Sequence, residues 1–166
     1  ALLVARPADT EVALLRVPRS GIQPETALGG DGVLHLIYFT GEPSAGDIFY
    51  VRSKDYGQTF STPVRVNSQP GSAIATGTIR GGQLAIGRGG RIHVAWNGSD
   101  AAIPKGLINP ANGQPSAPFL YARSNADGTA FELQRNLTTR SYGVDGGGSI
   151  AADADGNVYA AWHSLA

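Results

Sequence analysis

A repeated hairpin pattern constrains the fold of this chain more than any other feature of its sequence. Residues 26–40, 84–98 and 150–164 align without gaps on a glycine. Each segment has a run of small residues, then a turn, then an apolar run that ends in an aromatic residue. The turns are Asp31-Gly32, Gly89-Gly90 and Asp155-Gly156, and the aromatic residues are Tyr38, Trp96 and Trp162. These turn residues favour a two-residue hairpin, so each segment is predicted to be a pair of antiparallel strands.

The second strand of each predicted hairpin is apolar on both faces. These strands are expected at residues 33–39, 92–96 and 158–162. Because strands that are buried on both sides read as continuous apolar runs, we expect other layers of the protein to cover both faces.

A second motif extends the repeat to four strands. Tyr-x-Arg-Ser occurs at residues 50–53 and again at residues 121–124, and each copy is followed by a glycine and then a phenylalanine. Another strand-like run follows each copy, at residues 63–66 and 132–137. The repeating unit is therefore predicted to be a four-stranded antiparallel sheet. Helical periodicity is poor, which favours an all-β fold, and stacking such sheets face to face around an axis makes a β-propeller.

The repeats predict a single propeller domain over residues 1–166 that contains about two and a half blades. The blades are expected at about residues 25–67, 83–137 and 149–166. The third blade stops after its second strand. Residues 97–118 are predicted to form a long loop in the second blade, and residues 12–17 an outer strand of another blade. Since closed propellers need about four blades or more, we expect either missing blades or self-association to close the ring.

The composition argues against several classes of partner and site. The 13 Lys and Arg residues balance 13 Asp and Glu residues, which argues against a nucleic-acid binder. No apolar run approaches the roughly 18 residues of a membrane span. The absence of cysteine excludes disulfides and thiolate metal sites. Charged residues make up only 16% of the chain, which has 23 glycines and 10 prolines, a composition typical of short strands joined by tight turns.

One segment matches a known turn motif. Residues 53–60, SKDYGQTF, fit the pattern Ser-x-Asp-x-Gly-x-Thr-Trp/Phe of the Asp box, and residues 124–131, SNADGTAF, look like a degenerate copy with Ala126 and Ala130 where Asp and Thr belong. The chain therefore resembles the sialidase-like (BNR/Asp-box repeat) β-propeller family, whose propellers have six blades. In that family the Asp box is a structural turn that lies away from the substrate. The resemblance implies this structural role for Ser53, Asp55, Gly57, Thr59, Phe60, Ser124, Gly128 and Phe131.

The same resemblance implies an exo-sialidase-like glycoside hydrolase. Sialidases clamp the sialic-acid carboxylate with three arginines and use an aspartate as acid/base. One of the arginines precedes the first strand of an early blade, and Arg80 fits that position, although two glycines follow it where the family has Ile-Pro. The acid/base loop follows the second strand of that blade, so Asp100 is a candidate acid/base and Arg80 a candidate substrate contact. Glu42 and Asp47 occupy the equivalent loop of the first blade.

The resemblance also implies where the protein acts and on what. A sialidase-like protein is expected to be secreted, periplasmic or at the cell surface, to bind a glycan or glycoconjugate, and to need no cofactor. Two other functions stay open. The chain could be a non-catalytic propeller that binds glycan or protein through its axial face and residues 97–118, or a structural subunit whose open blades pair between copies.

Other polar patterns have structural explanations. His35 and His93 occupy the same position of the repeat, where the third unit has Tyr159, which predicts packing with a satisfied ring N–H. Residues 153–157 have some features of a calcium loop, but the glycine is misplaced and no bidentate glutamate follows, so a hairpin turn is predicted there. No histidine spacing typical of zinc occurs. The sequence therefore predicts no metal site.

Overall fold

The computed structural model describes residues 14–77 and 81–164. Within these ranges the fold is all-β, as predicted, with two four-stranded antiparallel sheets and two smaller two-stranded sheets. The first sheet contains, in order, β1 (Ile22–Leu28), β2 (Leu34–Glu42), β3 (Ala45–Ser53) and β4 (Val64–Arg65). The chain continues with β5 (Gln83–Ile86), β6 (Ile92–Asn97), β7 (Ile108–Asn109), β8 (Gln114–Pro115), β9 (Phe119–Arg123) and β10 (Arg135–Asn136). The second sheet has the order β10-β9-β6-β5, and the third pairs β11 (Gly148–Ala152) with β12 (Val158–Trp162).

The two four-stranded sheets share one register. His35 on β2 pairs with Arg52 on β3, and His93 on β6 pairs with Arg123 on β9. The repeat in the sequence is thus preserved residue by residue in the pairing of the strands. The prediction of four antiparallel strands per unit is confirmed for both sheets, although the fourth strands β4 and β10 are shorter than expected. Neither sheet closes on itself within the described part of the chain.

The turn between the first two strands of each unit is one residue longer than predicted. The Gly29 N–H donates to the Val33 carbonyl at 2.8 Å and the Gly32 N–H to the Gly29 carbonyl at 2.9 Å, which leaves a three-residue connection. Gly32, the last residue of this connection, has a φ of 79°, which glycine adopts without steric cost. Gly90 and Gly156 repeat this conformation. The two-residue prediction was wrong because Asp-Gly and Gly-Gly also suit the end of a three-residue turn.

The main core lies between the first and second sheets. Ile37 and Ile48 from the first sheet pack with Val94, Trp96 and Leu120 from the second, and all five side chains are buried. A second cluster covers the far face of the first sheet; we call it the far-face cluster. Its members are Val17, Leu36, Tyr38, Phe49, Val51 and Phe60. Both faces of β2 are therefore covered, as its continuous apolar run predicted.

The third sheet packs against the second. The Phe119 ring on β9 and the Trp162 ring on β12 have centroids 5.7 Å apart, and Gly148 on β11 lies against Phe119. β11 contacts β5, and β5 contacts β1, so the first strands of the three sheets are neighbours in chain order. The prediction that β12 is covered on both faces was wrong for the described residues. Val158 and Tyr159 are exposed because no further strand covers them there.

The connection between β6 and β9 is predicted to be a long loop, but it contains regular structure. It carries the short hairpin of β7 and β8. The Gly98 N–H donates to the Pro118 carbonyl at 2.8 Å, which closes the base of the connection. Among the described residues, no helix has the length and apolar character needed to cross a membrane.

Candidate functional site

The two ends of the sheets carry different features. One end, which we call the turn end, holds residues 29–33, 54–63, 87–91 and 124–134. The other, which we call the loop end, holds residues 43–44, 66–77, 81–82 and 98–118. At the loop end, bridges join Gly46 to Ala73 and Ala73 to Gly98. The two Asp-box segments therefore lie at the turn end, and Asp100 lies at the opposite end.

Asp100 lies in an exposed turn at the loop end. Its backbone carbonyl accepts a hydrogen bond from the Lys105 ammonium. The neighbouring Ser99 is buried and donates its hydroxyl to the Gly71 carbonyl at 2.7 Å. This bond ties the candidate acid/base loop to the connection that leads toward Arg80. Arg80 itself lies outside the described residues, so its role as a substrate contact stays a prediction.

A buried amide that sequence reasoning did not single out holds the loop end together. Asn67 is completely buried, and its Oδ1 accepts the Ile48 N–H at 2.9 Å. Its Nδ2 donates to Asp47 Oδ1 at 2.7 Å, and the same carboxylate oxygen accepts the Gly71 N–H at 2.9 Å. The Asp47 carboxylate therefore orders the loops. Glu42, the other acidic residue of the equivalent loop, is exposed.

The first Asp-box segment is closed by its own side chains. The Ser53 hydroxyl accepts the Gly57 N–H at 2.8 Å and donates to Asp55 Oδ1 at 2.7 Å. The Asp55 carboxylate accepts the Thr59 N–H at 2.9 Å and the Thr59 hydroxyl at 2.5 Å. These bonds, first from Thr59 and then from Ser53, lower the pKa of Asp55 from 3.8 to about 2. The carboxylate is therefore ionised at neutral pH, and its hydrogen bonds lie within the turn.

The second Asp-box segment closes its turn with an amide in place of a carboxylate. The Ser124 hydroxyl oxygen accepts the Ile92 N–H of the neighbouring strand at 3.1 Å. Asn125 Oδ1 accepts the Thr129 N–H at 2.9 Å, the same span of four residues that Asp55 covers in the first segment. The Asp-box pattern has its aspartate two positions after the serine, whereas Asn125 directly follows Ser124. The motif comparison therefore did not identify Asn125.

The phenylalanines that end the two segments pack in different places. Phe60 belongs to the far-face cluster of the first sheet. Phe131 meets the Tyr50 ring edge-on, with centroids 5.8 Å apart, and so packs between the first and second sheets. Gly128, with a φ of 65°, lies beside Tyr50 and lines the cavity described below.

Two buried histidine–tyrosine pairs lie at the turn end, one in each four-stranded sheet. His35 Nδ1 and the Tyr50 hydroxyl are 2.7 Å apart, and the same distance separates His93 Nδ1 from the Tyr121 hydroxyl. Burial lowers the pKa of both histidines and raises the pKa of both tyrosines. The imidazoles are therefore neutral at neutral pH, and their predicted role in packing is confirmed.

The third unit replaces this pair with a different contact. The Tyr159 hydroxyl donates to Asp153 Oδ2 at 3.0 Å, and Asp153 Oδ1 accepts the Asn157 N–H at 2.8 Å. Hydrogen bonds from Asn157 are the main cause that lowers the pKa of Asp153 to about 2. Residues 153–157 therefore form the predicted hairpin turn. Over residues 14–77 and 81–164, no group of three or more metal-ligating side chains occurs.

A cavity of about 580 Å³ opens between the first and second sheets at the turn end. Its acidic and basic lining residues are Asp31, Arg52, Lys54 and Asp127. The buried pair of His35 and Tyr50 lines it as well, and glycines of the facing turns complete the wall. The sequence did not identify this site, because its residues come from turns far apart along the chain.

Comparison with known proteins does not assign this chain to a class, so the class is described from the fold and the site. No family model matches this chain, and no curated protein matches it. The fold and the site define an all-β protein of stacked antiparallel sheets, with a cavity lined in part by charged residues at one end and ordered loops at the other.

Proposed function

We propose that this chain is a glycan-directed protein of the sialidase-like propeller class, and that its three main sheets are successive blades. The observation that carries the proposal is the order in which the first strands meet: β1 contacts β5, and β5 contacts β11. Antiparallel sheets that pack in this order suit a radial arrangement around an axis. The positions of the Asp-box turns at one end and Asp100 at the other fit the family, whose boxes lie away from the substrate.

In this proposal the loop end faces the glycan. The Asp100 carboxyl gives its proton to the departing glycosidic oxygen as that oxygen leaves the anomeric carbon, and overall a water molecule replaces the leaving group at this carbon. The Arg80 guanidinium pairs with a carboxylate of the sugar. The exposure of Asp100 supports the assignment, since an acid/base group must reach a substrate from solvent. The hydrogen bond from Ser99 to the Gly71 carbonyl gives this loop a fixed base.

Hydrolysis of a fluorogenic aryl sialoside tests the catalytic proposal. We expect Asp100→Asn and Arg80→Gln each to lower kcat/KM by about a hundredfold or more, because each removes a group that acts on the reacting sugar. Glu42→Gln, an exposed acid in the equivalent loop of the first sheet, is the matched control and should keep the rate of the unmodified chain. Full activity in both variants would overturn the site assignment, and no hydrolysis by the unmodified chain would overturn the proposal that this chain by itself is an enzyme.

A second candidate function is assembly between copies of the chain. Val158 and Tyr159 on β12 are 37% and 58% exposed, and exposed apolar strands are surfaces for association. Sedimentation of the chain at increasing concentration tests this function. We expect larger species that Val158→Lys removes, and a monomer at every concentration would exclude assembly.

A further inference from the structure

Two equivalent arginines of the repeat have different surroundings. Arg123 on β9 donates from Nε to Glu132 Oε1 at 2.7 Å, an ion pair within the second sheet. The Glu132 N–H also donates to the Arg123 carbonyl at 2.9 Å, and the Ser61 N–H donates to the Arg52 carbonyl at the same distance. Ser61 therefore stands in the first sheet where Glu132 stands in the second. Arg52 lacks the carboxylate that neutralises its counterpart.

Arg52 lines the cavity at the turn end together with a second cation, Lys54. Within the described residues, no carboxylate lies within 4.0 Å of either side chain. One hydrogen bond fixes the guanidinium, from Arg52 Nη1 to the Asp127 carbonyl at 3.1 Å. A guanidinium that is held in place without a counter-ion is well suited to bind a carboxylate, because its planar fork matches the two oxygens.

Two acidic residues line the same cavity. Asp31 comes from the first turn of the first sheet and Asp127 from the facing turn of the second. Asp31 Oδ1 accepts the Val33 N–H at 3.1 Å, and carboxylate oxygens keep free lone pairs for further donors. The two acids bring the formal charge of these four residues to zero, so the cavity disfavours a multiply charged anion. Arg52 and Lys54 can still bind a single carboxylate, while the acids can accept hydrogen bonds from hydroxyl groups.

We propose that this cavity binds an acidic sugar of the hexuronate class. Arg52 and Lys54 bind the ring carboxylate, while the carboxylates of Asp31 and Asp127 accept hydrogen bonds from ring hydroxyls. The cavity volume of about 580 Å³ lies within the range of roughly 300–1,000 Å³ that is typical of small-molecule sites. The site lies at the end of the sheets opposite Asp100, so it does not depend on the proposed sialoside chemistry.

Calorimetric titration of the full chain with glucuronate tests this inference, with glucose and acetate as comparison ligands. We expect saturable binding of glucuronate. Glucose and acetate should bind more weakly by about tenfold or more, because glucose lacks the carboxylate and acetate lacks the ring hydroxyls. If acetate binds as tightly as glucuronate, the site recognises a carboxylate alone and the sugar proposal is overturned. Absence of saturable glucuronate binding overturns it as well.

A substitution that adds a charge beside Arg52 distinguishes a role of Arg52 in binding from a general effect on folding. Ser61→Glu gives Arg52 the partner that Arg123 has, and we expect it to weaken glucuronate binding by about tenfold or more. Ser61→Gln places a side chain of similar size there without the charge and should keep binding. Thermal melting of both variants checks that they fold. Equal affinity in the two variants would show that Arg52 does not bind the carboxylate. Sialoside hydrolysis, if present, should be unchanged in both.

Discussion

The buried amide of Asn67 provides the sharpest test of how the loop end is ordered. Asn67→Ala removes the acceptor of the buried Ile48 N–H and the donor that binds the Asp47 carboxylate at 2.7 Å. It also removes the hydrogen bond of 2.6 Å to the Gln69 carbonyl. A buried polar group that loses its partner costs about 1–3 kcal/mol, and the Asp47 carboxylate loses a charge-assisted bond as well. We therefore expect Asn67→Ala to lower the free energy of unfolding by about 3 kcal/mol.

Urea unfolding at pH 7, followed by tryptophan fluorescence, measures this loss. Trp96 is fully buried beside the network, and its Nε1 donates to the Ser72 carbonyl at 3.4 Å, so its emission reports on unfolding of this region. Asn112→Ala is the matched control. Asn112 is exposed and accepts a single local bond from the Gln114 N–H, so we expect a change within about 0.5 kcal/mol. A loss below about 1 kcal/mol for Asn67→Ala would refute the reasoning.

Three further predictions address the turn end and the contact between sheets. Thr59 holds the pKa of Asp55 at about 2 rather than 3.8, so Asp55 contributes stability above pH of about 4 that is lost as the pH falls toward 2. Asp55→Asn should therefore make the denaturant midpoint less dependent on pH between 4 and 2, and an unchanged dependence would contradict this role. Tyr121→Phe leaves the buried His93 ring nitrogen without its partner, so the free energy of unfolding should fall by about 1–3 kcal/mol, and a neutral result in urea titration would argue against the pair. A Cβ on Gly148 would lie 2.2 Å from a phenyl carbon of the second sheet, so Gly148→Ala should cost about 1–3 kcal/mol by the same measurement, and unchanged stability would mean that the third sheet does not pack as described.

The repeat made the sheets predictable because each strand pair is encoded locally. Apolar runs beside Asp31-Gly32 and Gly89-Gly90 specify hairpins, and the recurring Tyr-x-Arg-Ser supplies the third strand. The length of the turns was harder to predict, since the same glycines suit two- and three-residue connections. The exposure of Val158 depends on which layers pack against β12, and a strand's own residues do not specify those layers.

The candidate sites were less predictable because their residues meet only in three dimensions. Asn67 looks like an ordinary loop residue, and its partners are loop and strand atoms that the sequence does not align with it. The sequence shows that Ser61 and Glu132 differ, but it does not show that they occupy equivalent positions. The strand pairing in the structure places each of them beside an arginine. Arg80 and Asp100 were proposed from a resemblance to a family, and the hydrolysis assay tests the roles proposed for them.

The radial arrangement of the sheets is the central claim of this account, and the distances between spin labels test it most directly. The chain contains no cysteine, so pairs of labels can be introduced without background. One pair is placed on the first strands, at Leu28 and Ile86, and the other on the fourth strands, at Arg65 and Arg135. Blades around an axis splay outward, so the distance between the first strands should be clearly shorter than the distance between the fourth strands. Equal distances, or a longer inner distance, would indicate parallel layers of a sandwich and would contradict the propeller.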